Sequence, residues 1–295
     1  MEFIKAKTIL SKVKDGSSWY GVDYNMNLYR GCPHGCIYCD SRSNCYHIDN
    51  FDMPRGKENA LAILEKELSK KYDHGVVGIG SMSDTYNPNE KQYLQTRGAL
   101  ELLLKYNFGV SIDTKSDLVL RDIDLLKEIN KRNNVIIKIT ITTPHDDLAK
   151  IIEPNVCVSS NRFKAIKELR DNDIFAGIMM NPVLPFITDK EEDIKELIRL
   201  AHDSKANFIH TYMGMTLREN QRDYYYEQLD KFFPGLKEKY ISYYKENYGC
   251  PVPDYKRLYK VFTNECDKYG ILYKMEDIIK AYKKEVLEDV QTSLF

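Results

Sequence analysis

No stretch of this chain approaches the roughly twenty consecutive apolar residues that cross a bilayer. The opening residues, MEFIKAKTIL, lack the long apolar core of a secretory signal. An excess of charge is missing too: 43 Lys and Arg stand against 44 Asp and Glu, a net charge of −1. That balance argues against a broad surface for coating nucleic acid but leaves room for a local basic groove. The seven cysteines are an odd number and are not arranged as a secreted disulfide scaffold. There is no repeat of fixed long period, no low-complexity tract, and a single tryptophan, Trp19, whose expected role is a packing anchor. Together these absences place the protein in the cytoplasm, where thiolates stay reduced. What is present is a chain of 295 residues, 43% of them hydrophobic, enough for one large α/β barrel or two smaller domains.

Three of the cysteines stand close together. Residues 31–39 read GCPHGCIYC, with Cys32, Cys36 and Cys39 spaced C-x₃-C-x₂-C, directly after the strand-like run 26–29. A loop with thiolates at this spacing can wrap one face of an iron–sulfur cubane and hold three of its irons, leaving the fourth open to a small ligand. Zinc is the competing reading, with His34 or Cys45 as a fourth ligand. Cys45 itself is either an ordinary buried cysteine or a hydrogen-atom donor beside the cluster.

Around this loop the apolar pattern alternates. Leu61, Leu64 and Leu68 mark a helix, and residues 75–82 a buried strand. Leu100, Leu103 and Leu104 mark the next helix, followed by a strand over 108–112. Ile123, Leu126 and Ile129 precede a β-branched strand over 135–141. Phe163, Ile166 and Leu169 precede a strand over 174–180, and Ile194, Leu197, Ile198 and Ala201 one over 208–213. Strand–helix alternation means parallel strands with crossover helices. Six strands, counting 26–29 as the first, predict an open, partial (βα)6 TIM-like barrel, an α/β fold with its chemistry at the C-terminal strand ends. The expected organisation is an N-terminal segment (1–24), the barrel (25–216), a C-terminal helical extension (217–290) and a tail (291–295). The extension and tail carry 12 of the 22 tyrosines. They are expected to pack a helical cap, with stacking on a nucleobase as the alternative.

The motif set resembles the radical S-adenosylmethionine (SAM) superfamily. Within it, the stretches GSMSDTYNPNE, TKSDLVLRDIDLL, ITTPHDD with IIEP, and MNPVLPFITD are similar to the spore photoproduct lyase-like group, often called DNA repair photolyases. The resemblance spans about residues 19 to 215. It implies a 4Fe–4S cluster on Cys32, Cys36 and Cys39, with the SAM amino and carboxylate groups on the fourth iron. It further implies reductive cleavage to methionine and a 5′-deoxyadenosyl radical, which takes a hydrogen atom from substrate. Tyr38, the aromatic before the third cysteine, fits that motif. Ser83 and Asp84 suit the SAM ammonium, and Lys115 a carboxylate or ribose oxygen. Thr142, in a register competing with Thr140, can offer a hydroxyl. Arg162 is either a carboxylate ligand or a surface helix charge, and Asn181 closes the fifth strand near the adenine. A one-electron reductase of flavodoxin or ferredoxin type is the implied electron donor.

This chain departs from the lyase pattern at two points. The lyase's hydrogen-donating cysteine aligns with Ser81, whose stronger O–H bond makes it a poorer hydrogen-atom donor. Asp40 stands where the lyase carries a tyrosine. SAM cleavage is unaffected by either change, whereas reversal of spore photoproduct is not expected. The last residues, Gln291, Thr292, Ser293, Leu294 and Phe295, resemble the bacterial sliding-clamp binding peptide. Such a tail would bring the enzyme to DNA by effective concentration. Lys12, Lys14, Arg30, Arg42, Arg55 and Arg218 are the candidates for a basic groove at the barrel mouth. The substrate readings are DNA or another nucleic acid, or else a peptide, protein or small molecule. A non-catalytic iron–sulfur or zinc module is the reading from another class.

Overall fold

The computed structural model describes residues 1–15, 19–71 and 74–283. The clamp-like tail lies outside the described residues. Two short strands, β1 (Phe3–Ile4) and β2 (Leu10–Lys12), open the chain, and a 3₁₀ turn, Trp19–Gly21, leads into β3 (Tyr24–Met26). Next come β4 (Tyr29–Arg30), the cysteine loop, and β5 (Arg55–Lys57). The alternation then runs α1 (Ala60–Leu68), β6 (Val76–Ile79), α2 (Glu90–Tyr93), α3 (Gln95–Lys105), β7 (Gly109–Thr114), α4 (Ile123–Arg132) and β8 (Val135–Thr140). It continues with α5 (Asp146–Ile152), α6 (Ser159–Asp171), β9 (Ala176–Met180), α7 (Glu191–Asp203) and β10 (Ile209–Thr211). The C-terminal part holds β11 (Gly214–Thr216), α8 (Gln221–Phe232), α9 (Leu236–Tyr244), β12 (Gly249–Pro251), α10 (Tyr255–Tyr269) and α11 (Met275–Tyr282).

The main sheet runs β10-β9-β8-β7-β6-β3-β2, with six parallel strands and β2 antiparallel at the edge. Sequence neighbours are sheet neighbours throughout the parallel part, as βα crossovers dictate. This is the α/β partial barrel. The first parallel strand is Tyr24–Met26, not residues 26–29: Tyr29 and Arg30 turn away to pair with β5 in a separate three-stranded sheet, β1-β5-β4. Within the N-terminal segment Leu10–Lys12 pairs with β3, a strand too short for the apolar pattern to reveal.

Side-chain alternation sorts the strands. Val110, Ile112, Val135, Ile137, Ile139, Ala176 and Ile178 join one core with the helices. The intervening residues Ser111, Asp113, Lys138, Thr140, Met179 and His210 share the opposite, inner face, as the strand register requires. β-branched residues on both faces explain why β8 reads as an almost continuous apolar run. Tyr20, Val22, Ile278 and Tyr282 form a cluster with Val76, Ile136 and Phe208 near the strand starts, so α11 closes that end. Trp19 does not anchor the core. It is 48% exposed and makes T-shaped contacts with Tyr20 and His210.

The C-terminal extension does more than cap. Helices α8 and α9 pack on the cysteine loop, with Tyr225, Tyr240 and Tyr244 in one buried cluster with Cys36, Ile37 and Tyr38. The Tyr240 hydroxyl donates to the Pro185 carbonyl at 2.7 Å, so these rings are structural. Helix α10 instead packs along α7. Among the described residues no helix is long and apolar enough to cross a membrane.

Candidate active site

A cavity of about 410 Å³ opens at the C-terminal ends of the parallel strands, within the range of small-molecule sites. One wall is the cysteine loop, with Cys32, His34, Cys36, Tyr38 and Cys39; opposite lie residues at or just beyond the ends of β6 to β10, including Ser81, Ser83, Asp84, Lys115, Thr140, Asn181 and Tyr212. Two glycines permit this convergence. At Gly31 (φ +83°) a Cβ would sit 2.6 Å from the Phe51 carbonyl oxygen, and at Gly80 (φ +105°) 2.3 Å from that of Asp113.

Asp84 acts as the central clasp. Its carboxylate accepts the Tyr86 amide (2.9 Å), the Thr114 hydroxyl (2.7 Å) and the Lys115 amide (2.7 Å), and faces His34 Nδ1 at 3.5 Å. It thereby ties the loop after β6 to the end of β7 and to the cysteine loop. Ser83 donates to the Gly31 carbonyl at 2.6 Å, fixing the start of that loop. Sequence reasoning placed both residues at the site, but their side chains already serve the protein.

A second clasp lies behind the cysteines and was missed from sequence. Glu153, 1% exposed, accepts hydrogen bonds from the Tyr38 hydroxyl and Arg162, and from the Thr142 hydroxyl at 3.3 Å. Burial raises its carboxyl pKa, but Arg162 and Lys115 outweigh this and hold it below the ordinary value. Arg162 is therefore no surface charge and no ligand in the cavity wall. It is fully buried, grips Glu153, and also donates to the Thr140 carbonyl (2.9 Å) and the Cys157 carbonyl (2.8 Å). Thr142 likewise turns to Glu153, and Thr140, two residues earlier, faces the cavity instead. The IIEP stretch carried the only signal for Glu153: an acidic residue at the end of an apolar helix.

Lys115 is the cavity's cation. Burial lowers its ammonium pKa, but Cys36, Glu153 and Asp84 together raise it above the ordinary lysine value, so it stays charged. It makes no ion pair or side-chain hydrogen bond among the described residues; its nearest aromatic is the Tyr38 ring at 5.8 Å. The Asn181 carboxamide, beside the cis Asn181–Pro182 peptide, also has no such partner. An unpaired cation and an unpaired amide in a cavity wall are groups prepared for a ligand.

The three thiols suit an iron–sulfur cluster. All three line this one cavity, and burial pushes the Cys32 thiol up to about 12, so iron must displace protons on binding. Lining one cavity, the three thiolates can each take a different iron of one compact cluster.

The remaining candidates divide. Ser81 lines the cavity, its hydroxyl 3.5 Å from Asn27 Oδ1. Cys45 is exposed rather than buried and lies outside this cavity, in an adjoining one, 3.5 Å from Arg218 Nη1. Asp40 accepts from Arg218 at 3.0 Å and Thr216 at 2.8 Å. Arg218 in turn stacks on Tyr46 and Tyr248, and Arg42 lies 3.9 Å over the Tyr224 ring while pairing with Asp52. The proposed basic groove is thus split. Lys12 pairs in the sheet opposite Tyr24, at the strand starts, whereas Arg42 and Arg218 are engaged beside the cysteine loop.

Comparison with known proteins agrees with this geometry. The radical SAM superfamily model matches residues 26–216. An uncharacterized protein of Methanocaldococcus jannaschii is 34% identical over 197 residues, covering 65% of this chain and 71% of that one. An uncharacterized protein of Mycobacterium tuberculosis is 27% identical over 262 residues, covering 86% and 76%. Among solved structures, a spore photoproduct lyase complexed with dinucleoside spore photoproduct superposes with a TM-score of 0.63 at 13% identity, over 90% of this chain and 79% of that one. At that identity the likeness is one of fold.

Proposed function

The chain belongs to the radical SAM superfamily, and on that premise we propose that it is an enzyme whose Cys32, Cys36 and Cys39 hold a 4Fe–4S cluster for hydrogen-atom abstraction from a nucleic-acid substrate such as damaged DNA. The carrying observation is that Cys32, Cys36 and Cys39, the Lys115 ammonium and the ends of five successive strands all line one cavity. When bound, the cluster and SAM supply a 5′-deoxyadenosyl radical, the hard part of the chemistry. The chain's own residues do the rest. Lys115 offers a cation to the SAM carboxylate, Thr140 and Asn181 offer hydrogen bonds, and the Tyr38 ring covers the loop. Asp84 and Glu153 hold those groups in position. A one-electron reductase supplies the electron.

Two features of the mouth support a nucleic-acid substrate. Tyr212 and Tyr248 line the cavity and are 44% and 50% exposed, so their rings are accessible for stacking on a base. Arg218, braced on Tyr248 at 2.7 Å, adds a cation beside them. The test is anaerobic. The reduced, cluster-loaded protein with SAM is expected to form 5′-deoxyadenosine, and UV-irradiated DNA is expected to stimulate it. Product formation indifferent to DNA would overturn the substrate reading, and none from an intact cluster would overturn the enzymatic one.

The exchange of Thr142 for Thr140 has its own test. A hydrogen bond to a charged group contributes about 1.5–3 kcal/mol. Thr140→Val is therefore expected to weaken SAM binding by roughly 10- to 100-fold in equilibrium dialysis. Thr142→Val is expected to leave binding within about threefold and lower the melting temperature, because its loss strips a hydrogen bond from Glu153.

A further inference from the structure

The antiparallel pairing of β4 with β5 sets Arg30 directly opposite Arg55. Like charges so opposed destabilise a strand pair. Lys57, two residues along β5, falls on the same face. Burial first, and the charge of Arg30 second, lower its pKa, while Glu67 acts in the opposite sense. Three cations thus share one small face.

Arg42, Arg97, Arg121, Arg162 and Arg218 each have a carboxylate partner. Arg30, Arg55 and Lys57 make no ion pair among the described residues. The backbone nevertheless holds the two guanidiniums in place: Arg30 Nη2 donates to the His47 carbonyl, and Arg55 Nη2 to that of Asp49 at 3.2 Å. Arg55 Nε is buried without a partner. Guanidiniums held in place by backbone carbonyls, with no carboxylate partner, suit an anion rich in acceptor oxygens. Its location is telling. Arg30 runs through Gly31 into Cys32, whose amide donates to the Phe51 carbonyl at 2.8 Å, and Phe51 lines the central cavity.

We propose that Arg30, Arg55 and Lys57 form a phosphodiester-binding face that holds the backbone of a nucleic-acid strand beside the cavity. The assignment rests on the nucleic-acid reading above. Guanidiniums suit the forked geometry of phosphate oxygens, and the lysine adds a point charge. Two of the six cations expected to form a basic groove, Arg30 and Arg55, meet on this face with no carboxylate partner among the described residues, and Lys57 joins them.

The test is the binding of a fluorescein-labelled single-stranded oligonucleotide to the cluster-loaded protein, by anisotropy across a salt series. Each neutralised phosphate contributes about 0.7 to the slope of log K against log salt for single strands. The triple variant Arg30→Gln, Arg55→Gln, Lys57→Gln is expected to lose about 2 from that slope and to bind at least tenfold more weakly at low salt. Lys57→Gln, which removes no side-chain hydrogen bond, guards against misfolding. It is expected to lose about 0.7 of slope while DNA-independent 5′-deoxyadenosine formation stays unchanged. Wild-type slope and affinity in both variants would overturn this face and leave the nucleic-acid reading standing. A wild-type protein that binds no oligonucleotide would overturn both. Displacement by inorganic phosphate at matched phosphate concentration would mark a free-phosphate site and overturn strand binding.

Discussion

Cys36→Ala is expected to reduce SAM cleavage to background and to leave the purified protein without its stoichiometric iron and sulfide. Two thiolates cannot hold the three irons that the loop spacing serves, so the cluster is lost rather than merely perturbed. The fold should survive. Cys36 packs in an apolar cluster with Ile37, Tyr38 and Ile152, and alanine fills most of its place without burying a polar group. Circular dichroism and melting of the apo forms should therefore match. Cys45→Ala serves as the contrast. Its exposed thiol lies outside the central cavity, so iron and sulfide content should be unchanged. Equal iron loss in both variants, or full iron retention in Cys36→Ala, would remove the cysteine loop as the cluster site.

Arg162→Met carries the second large effect, and it acts through stability. The substitution strands the Glu153 carboxylate in a fully buried position, and breaking a buried pair by removing one partner costs about 3–5 kcal/mol. Tyr38 and Thr142 both donate to that carboxylate, and the Ile37 amide donates to the Ile152 carbonyl at 3.0 Å. The cysteine loop should loosen with it and cluster retention should fall. The pH dependence has a definite sign. In the wild type Glu153 titrates below an ordinary carboxyl, so the stability it contributes is present at neutral pH and fades as pH falls through that depressed value. In the variant burial is opposed only by Lys115 and the Tyr38 hydrogen bond, so the pKa moves upward from its wild-type position and acidification protonates Glu153 sooner, relieving the strain. The gap in melting temperature should be widest near pH 7–8 and narrow towards pH 5. A gap that widened on acidification would show that Glu153 is not the group left stranded. Glu153→Leu combined with Arg162→Met should recover part of the loss, because no charge is then buried alone.

What the sequence determined by itself was local. Three cysteines within eight residues narrow their chemistry by spacing to an iron–sulfur cluster or zinc, and the resemblance of the surrounding motifs favours the cluster. Helices and buried strands announce themselves through periods that a short window contains, so the six-strand parallel sheet was legible almost to its ends. Where windows were too short or partners too distant, only the tertiary structure decided. Thr140 and Thr142 share a face by alternation, and it is the end of β8 at Thr140 that lets the chain turn Thr142 towards Glu153. The Glu153 clasp draws in Tyr38 from 115 residues away, and no pattern along the chain records that meeting. Arg30 and Arg55 look like two scattered charges until a two-residue strand leaves the barrel and pairs them. Periodicity is set by neighbours along the backbone, whereas the paired charges and hydrogen bonds that shape this site are set by which strand ends come together in space.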